Sequence, residues 1–291
     1  MTANRSWAGY VIVAAIVVAV AVLLSGRNKV SPPSNSSVLA VDLEVPEFVE
    51  VPEGPFLMGS DKASDALAFD NERWSPNEAR GTVNLPTFYI GRHEVTVAQY
   101  QSFVVATERK VEPQALSAPS THPVTFVSWP DAVAYCRWLE SIMRVSPATP
   151  AALKARLDSG WHVALPSEAE WEKAAGGPDG RRYPWGDGPP KGRANLQSQG
   201  TVPVGSIACA DCAYGLSDMS GNVWEWTRSP YQPYPFDPGD DNNTIGSDAL
   251  WVMRGGAFND SEQMGRVTTR GAADPGARRA FIGFRVVVSS N

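Results

Sequence analysis

Cysteine and histidine are scarce in this chain: three of each among 291 residues, with no Cys after Cys212. There is no second CxxC and no His pair at HExxH or comparable spacing, so a zinc centre built from neighbouring ligands is excluded. His93, His122 and His162 stand far apart. No internal repeat is present, and Gly176-Gly177 and Gly255-Gly256 match no strand–loop–helix phosphate signature. An excess of basic charge is also missing. The first 41 residues hold three basic residues and no acidic ones, which leaves 22 basic against 31 acidic residues in the remainder. That balance argues against nucleic acid as a partner.

What is present is glycine, proline and tryptophan. Gly numbers 25, Pro 24 and Trp 10, and 43% of residues are hydrophobic. Such a chain has enough apolar surface for a sizeable core, and its punctuation favours a loop-rich globular fold over a helical bundle. Long ordered loops need aromatic anchors, disulfides or bound ions to hold them.

The N-terminus divides cleanly. Residues 1–6 form a stub. The run from Trp7 to Leu24 carries no charge, and Ser25 and Gly26 extend it. At a 1.5 Å rise this reaches across a hydrocarbon core, and no small-x-small cleavage site follows, so 7–26 reads as an uncleaved transmembrane signal anchor. Arg5 lies before the span and Arg27 and Lys29 after it, nearly balanced for the positive-inside rule. A short stub with a large C-terminal body places the body outside the cytoplasmic membrane. Residues 27–41, rich in Pro, Ser and Asn, read as a linker. One domain is expected from 42 to 291.

Within it, Thr96 with Gln99, Ser128 with Asp131, and Ser167 with Glu170 each mark a helix start, the last as a full capping box. A further short helix is expected from Pro150. After Ala175 the chain becomes Gly/Pro-rich and aromatic, which predicts short strands and long loops ending in a strand over "FIGFRVVV". The fold class is α+β.

"SDMSGNVWEWT", from Ser217 to Thr227, sets Glu225 between Trp224 and Trp226. Tryptophan favours burial and a free carboxylate does not, so something must neutralise Glu225. With "GPFLMGS" (54–60), "FYIGRHEVTVAQYQSFV" (88–104), "HPVTFVSWPDAVAYCRWL" (122–139), "ALPSEAEWEKAAGG" (164–177), "YPWGD" (183–187), "PVGS" (203–206), "RGGAF" (254–258) and "IGFRVV" (282–287), this stretch resembles the formylglycine-generating enzyme, or sulfatase-modifying factor, family along nearly the whole body. The resemblance implies a variant of the C-type lectin-like fold with little regular secondary structure. It also implies a structural calcium ion, held by the side chains of Asp218 and Glu225 and the carbonyls of Gly221 and Val223. A second family calcium site would begin at Asn195 and the carbonyl of Leu196, but its downstream ligands have no counterpart here. Hard oxygen donors suit calcium. A turn cap by Glu225, or its pairing with an arginine, is the competing reading.

The family's enzymes oxidise a cysteine of a client sulfatase, using two cysteines that bind copper(I). The matching positions are Asp260 and Gly265, and Ala257 replaces the motif's serine. Soft copper(I) wants thiolates, which a carboxylate and a glycine cannot supply. No copper and no formylglycine generation are therefore expected. Cys136 falls on a helix face toward the core, where a free thiol is a small hydrophobe. Cys209 and Cys212 form a CxxC. A small-loop disulfide is the reading for an extracytoplasmic body, with a redox pair or free thiols as alternatives. Asp260 and Glu262 form a possible acid/base pair near the lost site.

Three functions follow from the resemblance. The first is a membrane-anchored binding or regulatory domain for a peptide, protein or small ligand. The second is an enzyme of altered chemistry acting on a secreted peptide or metabolite. The third is lectin-like ligand display. The first is preferred, because the fold motifs are kept while the cysteine pair is gone.

Overall fold

The computed structural model describes residues 45–242 and 249–290. The stub, the apolar run 7–26, the linker 27–41 and the expected domain boundary at Asp42 lie outside them. Among the described residues no helix is long and apolar enough to cross a membrane. The contact pattern divides the chain after Asp42, and every described residue belongs to the second unit.

The helices start where their caps stand. Thr96, Ser128 and Ser167 each accept a bond from the backbone three residues on, and the third-position side chain returns one. All three are therefore reciprocal capping boxes, which satisfy amides that a helix start leaves free. They open α1 (Val97–Thr107), α2 (Trp129–Val145) and the later α4 (Glu168–Gly176). Between them α3 (Ala151–Asp158) follows Pro150 at its N-cap, as expected.

The strands are short and fall in three sheets. β1 (Phe48–Val51), β4 (Phe88–Gly91), β10 (Val287–Ser289) and β5 (His162–Ala164) pair antiparallel in that spatial order. β2 (Gly54–Met58) and β3 (Gly81–Leu85) form a two-stranded ribbon. β8 (Gly271–Ala273), β7 (Trp251–Arg254), β6 (Trp224–Pro230) and β9 (Ile282–Gly283) make the third, with β6 and β9 parallel. The single strand expected over "FIGFRVVV" is thus two strands in different sheets. The chain switches sheets at Phe284–Val286, where Phe284 O accepts from Val95 N at 2.9 Å and Val286 O from Gly91 N at 2.8 Å. That switch aims Arg285 inward.

Two apolar clusters fill the unit. One gathers Trp129, Tyr135, Trp226, Trp251 and Phe284 with α2, the other Phe56, Phe88, Ile90 and Trp171 with α4. Trp129 stacks on Trp251 with centroids 4.1 Å apart. Through and beside these clusters run buried ion pairs. On α4, Glu168, Glu170 and Glu172 are all buried, and they pair with Arg270, Arg228 and Arg254 respectively. Glu72 receives Arg266, with Nη1 2.8 Å from Oε2, and both side chains are fully buried. A buried pair stabilises little against a well-packed apolar replacement, but losing one partner strands a charge. Arg266→Ala should therefore cost about 3–5 kcal/mol of unfolding free energy, whereas Arg266→Met with Glu72→Leu should cost clearly less. Urea denaturation of the two variants checks this; equal losses would refute the stranded-charge account.

Candidate functional site

The loop that enters β6 holds Asp218, Gly221 and Asn222 at positive φ of 57°, 80° and 64°. At Gly221 a Cβ would sit 2.3 Å from the carbonyl of Asn195, so only glycine lets the two backbones approach. Asn222 ties the loop inward. Its Oδ1 accepts from Asn195 Nδ2 at 3.1 Å and from Val202 N at 3.0 Å, and its Nδ2 donates to Glu94 Oε2 at 2.7 Å.

Glu225 is fully buried, and its partner is an arginine. Arg285 Nε lies 2.6 Å from Oε2 and Nη2 2.7 Å from Oε1, while Trp171 Nε1 donates to Oε2 at 2.8 Å. Arg285 is itself anchored by the carbonyls of Gly91 and Ser217, both at 3.0 Å. A bidentate guanidinium answers a planar carboxylate more completely than a point charge would. Trp224 and Trp226 do pack here, yet their indole N–H groups turn outward from Glu225, to Asp260 Oδ2 at 2.8 Å and Val127 O at 3.0 Å.

One guanidinium does not balance the negative charge around it. Burial, followed by repulsion from Asp218 and Glu225, pushes the carboxyl of Glu94 well above the ordinary range. Asp218 is also raised, by burial, although Gly205 N donates to its Oδ2 at 2.6 Å. Glu94 Oε1 is buried and makes no hydrogen bond. A small cavity of about 40 Å³ adjoins it, lined also by Glu47, His93, Thr96 and Gln99. His93 is pushed down, first by burial and then by Arg285. These are hard-oxygen donors, buried close together and costly to ionise. Among the described residues, no three His, Cys, Asp or Glu side chains converge as a ready-made metal-binding group.

Asn195 is occupied by its own loop. Its Nδ2 also donates to Gly200 O at 3.0 Å, and its Oδ1 accepts from Ser198 Oγ at 2.7 Å. Leu196 packs instead toward Gly265. A Cβ on Gly265 would lie 2.8 Å from Leu196 Cδ1 and 2.7 Å from Ser220 Oγ. Asp260 is likewise committed, since its Oδ2 also accepts from the amide of Ala257 at 3.0 Å, and Ala257 is fully buried. The three positions matching the family's copper site thus carry packing and hydrogen bonds. Asp260 is bonded to Trp224, whereas Glu262 accepts through its carbonyl, from Tyr183 Oη and from Gly265 N, both at 3.3 Å.

The cysteines and histidines stay separate. Cys209 and Cys212 form a disulfide, and Cys136 is buried with its thiol pushed far up by burial. His122 Nδ1 meets Thr201 Oγ1 at 2.9 Å, and His162 faces Glu140 near the surface. Sequence reasoning missed Glu94, Trp171 and Arg285. Arg285 interrupts the apolar stretch "GFRVV", which was the available signal; Glu94, beside Arg92 and His93, offered none. It also missed a cleft of about 500 Å³ between Trp74, Tyr231 and Tyr234, with Asn71, Arg73 and Arg270 on its walls. Ala257, Asp260 and Gly265 do not line that cleft.

Sparse short sheets, long loops braced by buried Arg–carboxylate pairs, and a tryptophan-flanked glutamate define a mixed α/β fold of the formylglycine-generating enzyme type. The profile of the sulfatase-modifying factor enzyme 1-like domain matches residues 36–290, and the chain belongs to that family. Among curated relatives, hercynine oxygenase of Mycolicibacterium smegmatis is 29% identical over 82% of this chain and 60% of its own length. Formylglycine-generating enzyme of Streptomyces coelicolor is 30% identical, covering 81% of this chain and 87% of that protein. A mouse protein named inactive C-alpha-formylglycine-generating enzyme 2 is 36% identical over 58% of this chain and 49% of its length. The chain therefore spans only about three-fifths of that hercynine oxygenase and half of the mouse protein. Among solved structures, PvdO from Pseudomonas aeruginosa has a TM-score of 0.66 at 24% identity, covering 84% of this chain and 94% of that one. CarF has a TM-score of 0.58 at 25% identity, covering 84% and 98%.

Proposed function

We propose that this chain is a binding or regulatory member of the family that does not generate formylglycine. The observation that carries this reading is the reuse of the copper positions. Asp260 and Ala257 are tied to each other and to Trp224, and Gly265 leaves room only for Leu196 and Ser220. Two thiolates must converge to hold copper(I), and here neither is present. The curated name of the mouse relative gives the family an inactive precedent. Ligand binding falls to the aromatic cleft of Trp74, Tyr231 and Tyr234, whose ring faces suit a peptide or a small planar ligand. Incubation with copper(I) and oxygen should leave the cysteine of a sulfatase-motif peptide unchanged by mass spectrometry. Asp260→Cys with Gly265→Cys should also stay inactive, because a side chain at 265 displaces Leu196. Aldehyde formation by the unmodified protein would return the chain to the enzyme class.

A structural calcium ion belongs to the same reading, held by Asp218 and the carbonyls of Gly221 and Val223, with Glu225 sharing an oxygen from its arginine pair. Its support is the excess of buried carboxylate and the unpartnered oxygen of Glu94. Glu94 and Asp218 have folded values raised above those of the unfolded chain. Without calcium, then, the stability these two groups contribute should be fully present below about pH 4 and be lost as pH climbs through the raised values. Calcium binds the ionised forms, so it should raise the melting temperature mainly at the alkaline end and flatten the profile. Asp218→Asn should reduce both effects. A melting curve indifferent to calcium and EDTA at pH 8 would reject the ion.

The apolar run 7–26 is proposed as the tether that places the body outside the cytoplasmic membrane. Protease added to intact spheroplasts should digest the body. Protection, or a mature N-terminus beyond residue 26, would overturn the placement.

A further inference from the structure

The Cys209–Cys212 bridge is poorly explained as a staple. It joins residues three apart, and loop-closure stabilisation is least for the shortest loops. The turn it closes is already hydrogen-bonded: Cys212 N to Cys209 O at 3.3 Å, Gly215 N to Cys212 O at 3.1 Å, and Ala213 N to Pro184 O at 3.2 Å. Both cysteines are half-exposed, unlike Cys136.

A guanidinium stands beside one of the two sulfurs. Arg193 Nη2 lies 4.0 Å from Cys209 Sγ. The guanidinium is held there by an ion pair with Asp211 and by the ring of Trp185, 5.2 Å from centroid to Cζ. Arg181 reaches the carbonyl of Asp211 at 2.8 Å and also pairs with Asp179. Asp211 Oδ1 is an adverse charge, 3.7 Å from the same sulfur, and Arg193 binds it. A cation beside a sulfur lowers the cost of the thiolate and makes it a better leaving group.

We propose that Cys209–Cys212 is a thiol–disulfide exchange site whose partner is a dithiol reductant, with Cys209 as the leaving thiolate. The donor's thiolate attacks Cys212 Sγ. A bond forms between donor and Cys212, the Cys209–Cys212 bond breaks, and the electron pair leaves on Cys209 beside Arg193. The donor's second thiol, its proton given to solvent, then attacks the donor sulfur of the mixed disulfide. Cys212 departs and takes up a proton. Two electrons have passed to the pair, and the donor ends as a disulfide. Cys136, buried and with a raised thiol, stays outside this exchange.

The test uses the full chain and dithiothreitol as the dithiol. Under native conditions reduction should expose two alkylatable thiols, with Cys136 unmodified, while near-ultraviolet circular dichroism is retained. In the reduced protein, the pH midpoint of Cys209 alkylation should fall below the ordinary thiol value of about 8.5. Arg193→Ala should raise that midpoint and slow reduction about tenfold, Arg193→Lys should restore most of both, and Asp211→Asn should shift the midpoint the other way. Reduction that occurs only with loss of the folded signal would overturn the proposal. So would an Arg193→Ala protein with the same midpoint and rate as the parent.

Discussion

A carboxylate taken out of water is costly unless it finds a positive partner, and among the described residues five buried glutamates find guanidinium groups. Glu225 meets Arg285, Glu170 meets Arg228, Glu172 meets Arg254, Glu168 meets Arg270, and Glu72 meets Arg266. The partners are 60, 58, 82, 102 and 194 residues apart in sequence. Each pair therefore fixes one segment of the chain against a distant one. Regular strands of two to seven residues could not do this alone, because their ladders are too short to specify where the long connections go. The arginine fork adds direction: each guanidinium also reaches a backbone carbonyl, as Arg285 does at Gly91 and Ser217.

The same economy of partners governs the loop after β7. Asp260 serves as an acceptor for an indole and an amide. Gly265 lets Leu196 and Ser220 close over it. The cleft of Trp74 and Tyr231 is separate from those positions.

Local signals were legible in the sequence and long-range ones were not. Thr96, Ser128 and Ser167 announced three helices because a cap and its third-position partner lie within one turn. The disulfide was readable because its cysteines are three residues apart. The partner of Glu225 was not, since Arg285 lies 60 residues away and apolar context alone does not say which cation comes back to it. The final strand was misjudged for a related reason. "FIGFRVVV" is uniformly suited to extended structure, and only the tertiary pull of Arg285 toward Glu225 divides it between two sheets. Glu94 passed unnoticed because its significance depends on Asp218 and Asn222, which arrive more than a hundred residues later.

The position of β10 bears on how the molecule comes into being. It is an inner strand, with β4 on one side and β5 on the other, and the residues just before it bring Arg285. A ribosome delivers those residues after β4, β5 and Glu225. Until Ser289 has emerged, β4 and β5 have an open gap between them and Glu225 has no counter-charge. The sheet therefore stays open through most of synthesis, however early its outer strands are made.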